Sequence, residues 1–263
     1  MRKLLSADAF RIFRSKWFWL CLGGMLALVG AFVTMQYTAM DYTVPMSRVI
    51  FLPMSFYGMV VAALVSLFVG EDFSDGFIRN KIIAGCSRTS IFASNLIVSC
   101  LACTVIYLVT TLLTAGIGCL LFEIDVSVAQ FLQHLVLGMG MCLAYSCIYC
   151  TITMVCGSKT TSTVLCMGLA FFLLVACLHT NQVMVQPAFK NGAPNPAYVD
   201  GFGKVVYSVL HDLNPSGQAA QLSAMEVFRP IRCILCDLLW VLIAGAGCLN
   251  LLCILKHLSS MFH

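Results

Sequence analysis

The chain has 263 residues, of which 60% are hydrophobic and only 10% charged, with a formal net charge of +4. Soluble domains carry about 25% charged residues, so this composition excludes a soluble enzyme or a nucleic-acid-binding domain and places the chain in a membrane. Apolar runs longer than about 18 residues favour helices over barrel strands, so an all-α membrane protein is expected, with six transmembrane helices.

Residues 1–16 predict an interfacial helix. Leu5, Ala9, Ile12 and Phe13 share one face, and Lys3, Asp8, Arg11 and Arg14 share the other. The basic side chains are expected to reach anionic lipid headgroups. These mostly polar or amphipathic residues precede an apolar run of full span length, which does not read as a cleavable signal peptide.

Span 1 is expected at about 17–36, with Trp17 and Trp19 at the inner interface. A short outer loop leads to span 2 at 50–70, where Pro53 falls in the first turn and costs little. Span 3, at about 91–122, is longer than a hydrocarbon core of about 30 Å requires. It must project, tilt or break near Gly116 and Gly118. Span 4 covers 131–156, and the turn Gly157-Ser158-Lys159-Thr160 leads to span 5 at about 162–180.

The outer segment, 181–229, contains Pro187, Pro194, Pro196 and Pro215 and the turn cluster NGAPNP. Two helical pieces are expected in it, over 204–213 and 218–228, and the first can dip back into the membrane as a re-entrant element. Span 6 runs from Pro230, a favourable first helical residue, to about 255. Small residues at Gly138/Gly140 and over 244–248 allow close helix contact.

Of the Lys and Arg residues, Arg2, Lys3, Arg11, Arg14, Lys16, Arg79, Lys81, Arg88, Lys159 and Lys256 fall on one side of this layout. Arg48, Lys190, Lys204, Arg229 and Arg232 fall on the other. The positive-inside rule puts both termini and the loop at 71–90 in the cytoplasm; the expected location is the cell (plasma) membrane.

That loop is the most informative stretch. Residues 71–95 read EDFSDGFIRNKIIAGCSRTSIFASN, with three acids (Glu71, Asp72, Asp75) and three bases (Arg79, Lys81, Arg88) between two spans. Its centre, 77–84, predicts one or two helical turns with Phe77, Ile78, Ile82 and Ile83 apolar. Gly76 and Gly85 bracket it as breakers, and Ser87, Thr89 or Ser90 can cap the next helix. A short amphipathic helix on a cytoplasmic loop suits the docking of a soluble partner. Phe77 and Ile78 would be apolar anchors, Arg79, Lys81 and Arg88 would pair with acids on the partner, and Glu71, Asp72 and Gly76 would anchor the loop.

Catalytic chemistry is not evident. Intramembrane proteolysis needs a Ser/His pair, H-E-x-x-H or paired acids within spans. The fifteen cysteines lie mostly in apolar runs and read as small hydrophobes. Three C-x-x-C pairs (Cys100/Cys103, Cys147/Cys150, Cys233/Cys236) have no accompanying His-x-x-x-His, so no metal is expected. His134 and His179 read as interfacial. The Gly-Ser-Lys-Thr turn lacks the glycines of a phosphate loop, so neither a nucleotide nor a cofactor is expected on this chain. Asp237 is the one acid within a span; an ion-coupled carrier would use it, whereas an interfacial acid would pair with Arg232 or Arg229.

The layout resembles the ABC-2 type transporter permeases. The residues carrying the likeness are Glu71 closing span 2, Gly76, and the run Ile82-Ile83-Ala84-Gly85-Cys86-Ser87-Arg88. Leu213-Asn214-Pro215 resembles the family's re-entrant outer element. Asn95 stands where the family often has Lys, and Cys86 where it often has Pro. The resemblance implies a coupling helix at 71–90 docked on a separate ATP-binding subunit, present in two copies and holding ATP and Mg. It also implies a second permease chain, most simply an identical one. Small permeases of this kind resemble exporters of amphipathic peptides, such as phenol-soluble-modulin exporters and bacteriocin-immunity transporters. Drug and lipid-like substrates are open alternatives, and so is a non-transporting immunity or sensor protein that binds a toxic peptide.

Overall fold

The computed structural model describes residues 2–39, 44–190, 193–195, 198–225, 227 and 229–261, with side chains except at 2, 3, 39, 190, 193, 194 and 247–261. The expected roles of Arg2, Lys3, Lys190 and Lys256, of residues 191, 192, 196 and 197 in the turn cluster, and of Cys248 lie outside the described residues or side chains.

Among the described residues the regular structure is helical, apart from a two-residue antiparallel pairing and a Pro45–Glu123 bridge. The helices are α1 (Arg2–Arg14), α2 (Lys16–Ala39), α3 (Tyr57–Ser74), α4 (Phe77–Ile83), α5 (Arg88–Leu121), α6 (Val128–Cys156), α7 (Lys159–Val185), α8 (Phe202–Leu213), α9 (Pro215–Ser223) and α10 (Pro230–Met261). Short 3-10 turns at Met46–Arg48 and Leu52–Phe56 precede α3. Strands β1 (Phe189–Lys190) and β2 (Ala193–Pro194) pair after α7. Among the described residues, five segments are long and apolar enough to cross a membrane: Lys16–Thr38, Met46–Ser74, Arg88–Leu121, Val128–Cys156 and Lys159–Val185.

α3 and α6 form the centre. α3 packs on α6 and α7, and α6 also packs on α5 and α10. In their most apolar windows, 67% of the α3 segment and 61% of α6 are buried, against 28% for α2 and 22% for α7. The latter two therefore present apolar faces outward. α5 runs unbroken through Gly116 and Gly118 for 34 residues, about 50 Å at the α-helical rise, so its extra length is not absorbed by a break.

Three buried tyrosines fix the helices to one another. The Tyr57 hydroxyl donates to the Cys103 carbonyl (2.5 Å), and the Tyr107 hydroxyl to the carbonyls of Leu135 and His134 (3.3 and 3.4 Å). The Tyr145 hydroxyl meets Ser216 Oγ at 2.7 Å. A buried ring whose polar tip finds a partner adds both area and direction to packing. Tyr149 stacks on Tyr145. Gly138 lies against Tyr107: a Cβ there would sit 2.0 Å from the Tyr107 hydroxyl. Gly140 gives the same close approach to Asp237 of α10, so this small-residue pair joins α6 to both α5 and α10. Cys103, Cys142, Cys147, Cys166 and Cys177 are buried packing groups.

At one end of the bundle the segment before α3 is tied to the α5–α6 turn. Met46 N donates to the Glu123 carbonyl (2.9 Å), and the Ser47 amide and hydroxyl both bond Asp125. Burial pushes the Asp125 carboxyl up, but the Ser47 bonds outweigh it and hold its pKa below the usual carboxylate range.

Several expected boundaries move: α7 runs on to Val185 and α9 ends at Ser223, and two other shifts bear on the sites. α3 continues past residue 70 through Ser74, so Glu71 and Asp72 form its last turn and are not loop residues. α9 begins at Pro215, three residues before the expected helix, because Asn214 caps it by accepting from Ser216 N (2.9 Å) and Pro suits the first helical position. The α8–α9 pair is wedged among α6, α7 and the Leu52–Phe56 turn. Gly217 permits this, since a Cβ there would lie 2.0 Å from the His211 carbonyl oxygen.

Candidate partner-docking site

The site lies at the end of the bundle where α1, the end of α3, α4 and the start of α5 meet. α3 stops because Gly76 adopts a left-handed conformation (φ +72°) that glycine takes without strain. The chain turns into α4, which closes with the bond pattern of a Schellman motif. Gly85 (φ +83°) donates to the Ile82 carbonyl at 2.9 Å, and Cys86 donates to the Lys81 carbonyl at 3.0 Å. Ser87 then caps α5 by accepting from Ser90 N at 3.2 Å. α4 is thus a seven-residue helix bracketed by two glycine turns.

Its inner edge is locked. Lys81 Nζ lies 2.8 Å from Asp8 Oδ1 and 3.0 Å from Asp72 Oδ2. Arg11 pairs with Asp72 and lies 3.7 Å from Asp8. Ser94 donates to the other Asp8 oxygen at 2.8 Å. Asp8 is 2% exposed and Asp72 fully buried. The Arg11 guanidinium also sits over the rings of Phe68 (4.6 Å) and Phe77 (5.0 Å), a cation–π arrangement. Two acids and two bases cancel, and that neutrality is what makes burial of the two acids tolerable, while Arg11 and Lys81 stay partly exposed.

A second knot binds the neighbouring helix ends. Glu71 Oε1 accepts from Trp17 Nε1 (2.5 Å) and from Lys159 Nζ (3.0 Å), joining the starts of α2 and α7 to the end of α3. Gly70 gives Lys159 room to pass: a Cβ there would lie 3.0 Å from the Lys159 Cα.

The outer edge of α4 is different in kind. Phe77 is 40%, Ile82 41% and Ile83 74% exposed. Ile78 is half-buried, and Arg79 and Arg88 are exposed. Two shallow cavities flank this edge. One of about 300 Å³ is lined by Phe73, Ile78, Arg79, Ile82 and Ile83. The other, of about 490 Å³, lies between α1 and the α3–α4 turn, where Phe10, Arg14, Phe68 and Phe77 line it.

Phe77, Ile78, Arg79 and Arg88 therefore sit where a partner could reach them. Lys81 does not: its charge is satisfied inside the chain by Asp8 and Asp72. Arg11, expected to meet lipid headgroups, is turned inward together with Asp8, because α1 packs on α5 and α2 and completes the neutral network. The sequence reading missed this role for Asp8, Arg11 and Ser94. The available signal was an acid on an otherwise cationic helix, three residues from a base, a spacing at which the two share a face.

Asp237 is also placed differently from the interfacial pairing. It is 4% exposed and pairs with no base; Gln218 is the polar side chain that acts on its carboxyl. Arg232 pairs instead with Asp212 of α8 at 2.7 Å, and Arg229 reaches Ser208 at 3.5 Å. The reason is helical: five residues correspond to about 140° of rotation, so Arg232 and Asp237 leave α10 on different sides.

These features define an α-helical membrane protein with a helix-bracketed polar knot at one end. Residues 22–198 match the model of a family described as "Protein of unknown function (DUF2705)", and the chain belongs to that family. No curated protein matches it. The match covers α2 from residue 22 to the segment after β2, and α8–α10 lie beyond it.

Proposed function

We propose that the chain is the permease subunit of an ATP-driven ABC exporter of the ABC-2 type, whose substrates are amphipathic or hydrophobic peptides. In this reading α10 is the sixth span, both termini and α4 are cytoplasmic, and α8–α9 is the re-entrant element on the outer side of the plasma membrane. A second permease chain completes the pathway, and two copies of a separate subunit bind ATP and Mg.

The observation that carries the reading is the two-sided character of α4. Its outer edge offers Phe77, Ile82 and Ile83 with Arg79 and Arg88 beside them, a patch suited to a groove with an apolar floor and acidic rim. Its inner edge is held through Lys81 to α1 and α3, and Asp8 extends the network to Ser94 of α5. Displacement of α4 by a closing motor would pass to these helices together, as rigid-body switching requires. The positive-inside bias supports the cytoplasmic assignment.

Sidedness provides the test. With Arg79→Cys in a Cys86→Ser/Cys119→Ser background, which removes the exposed Cys119, a membrane-impermeant maleimide is expected to label position 79 only after cells are permeabilised. Labelling in intact cells would put α4 on the wrong face and reject the reading.

Buried Asp237, paired with no base, favours a second reading, an ion-coupled carrier, since intramembrane acids of this kind mark ion pathways. Asp237→Asn keeps the shape and removes the titrating group. Under the ABC reading, export rates are expected to stay within about twofold and to remain independent of a proton gradient; loss of export would favour the carrier.

A further inference from the structure

α5 and α6 pack side by side and run in opposite directions, and the contacts between them fix their register. Toward the α4 end, Asn95 Nδ2 lies 3.8 Å from Met154 Sδ. Further along α5, the Tyr107 hydroxyl reaches the carbonyls of Leu135 and His134 and lies against Gly138. A register set on both sides puts Cys100 opposite Cys147, and there the two thiols meet as hydrogen-bond partners. Beside them the Cys103 side chain bonds that of Ser146. Small side chains on both helices let the backbones come close.

The sequence offers a different pairing. Each C-x-x-C motif places its two cysteines on one helix face, a turn apart. The structure instead joins the first cysteine of one motif to the first of the other. Among the described residues, no three His, Cys, Asp or Glu side chains gather as a metal site, so this juxtaposition is a dithiol. A disulfide needs side chains that point at one another, and thiols that share a hydrogen bond already do. The two differ in access. Cys147 is 2% exposed, whereas Cys100 is half-buried and flanked along α5 by the exposed Ile97 and Leu101. A small uncharged oxidant that crosses lipid therefore meets Cys100 first.

We infer that Cys100 and Cys147 form a reversible oxidation site, at which hydrogen peroxide converts the two thiols into a disulfide that joins α5 to α6. The Cys100 sulfur takes one peroxide oxygen, the O–O bond breaks, and water leaves. The Cys147 sulfur then attacks the Cys100 sulfenic acid. Its S–O bond breaks, and a second water carries off the hydroxyl and the Cys147 proton. The sulfurs lose two electrons and the peroxide gains them. A small thiol returns both cysteines to the reduced state by exchange. The bond ties the helix that follows α4 to a helix at the centre of the bundle. The site stands independently of the export reading.

The test uses the full chain, purified in detergent in the reduced state and then treated with hydrogen peroxide. Its chymotryptic peptides are mapped by mass spectrometry without reduction. A linked product containing Cys100 and Cys147, lighter than its two peptides by two hydrogens, is expected to dominate the linked species and to vanish after dithiothreitol. Cys100→Ser and Cys147→Ser are each expected to abolish it, while Cys103→Ser and Cys150→Ser leave it in place. If a serine variant fails to fold, the map of the native chain decides. Links confined to Cys100–Cys103 or Cys147–Cys150 would overturn the proposal. So would recovery of Cys100 and Cys147 unlinked while peroxide oxidises other cysteines of the chain.

Discussion

Asp72→Ala is expected to destabilise the chain by about 3–5 kcal/mol, the cost of leaving a buried ion network one acid short. Asp72 is fully buried and receives both Arg11 and Lys81. Its loss leaves two cations sharing Asp8. The variant should show a lower thermal unfolding midpoint in detergent, with α1 and α4 becoming accessible to protease before the rest. The double change Arg11→Met with Asp72→Leu removes one charge of each sign and leaves the Lys81–Asp8 pair at 2.8 Å. Neutral replacement of buried pairs is often tolerated, so the double variant should recover more than half of the loss. Simple addition of the two single effects would show that the network is not a unit, and a single-variant loss within about 1 kcal/mol would show that it is not buried as described.

The second large effect concerns coupling. Phe77→Asp with Ile78→Asp puts two acids on the apolar part of α4 that would enter a partner's groove. Under the export reading, the expected result is loss of nearly all stimulation of ATP hydrolysis in the partner, while this chain still inserts and folds. Stability should fall by much less than for Asp72→Ala, since Phe77 is 40% exposed and Ile78 half-buried. An Arg79→Glu control, at an exposed side chain, should weaken the coupling without touching the inner knot. Intact coupling in the double variant would refute the docking role of α4.

Much of α4 was legible from the chain because its stops are local. Gly76 and Gly85 are the residues that take positive φ at the two turns, and Ser87 is a capping residue in the right place. The end of α3 was less legible. Hydropathy falls at Gly70, but a helix stops where its backbone is broken, and Gly76 is the first residue to break it. The Asp8–Lys81 contact joins residues far apart in sequence, and a helical wheel for α1 cannot tell a lipid-facing polar face from one that finds its opposite charges inside the protein. Asp237 illustrates the same limit, because its nearest cation in sequence leaves α10 on another side. The start of α9 was readable after all: Asn-Pro is a cap followed by a first-turn residue, which places the start at Pro215 and not at 218.

The account depends most on a separate motor acting through α4. The direct measurement places the chain and an ATP-binding subunit in lipid vesicles and follows both ATP hydrolysis and movement of an amphipathic peptide. Movement is expected to need both chains and ATP, and to stop with Phe77→Asp/Ile78→Asp. Peptide movement by this chain alone, with no nucleotide present, would contradict the account.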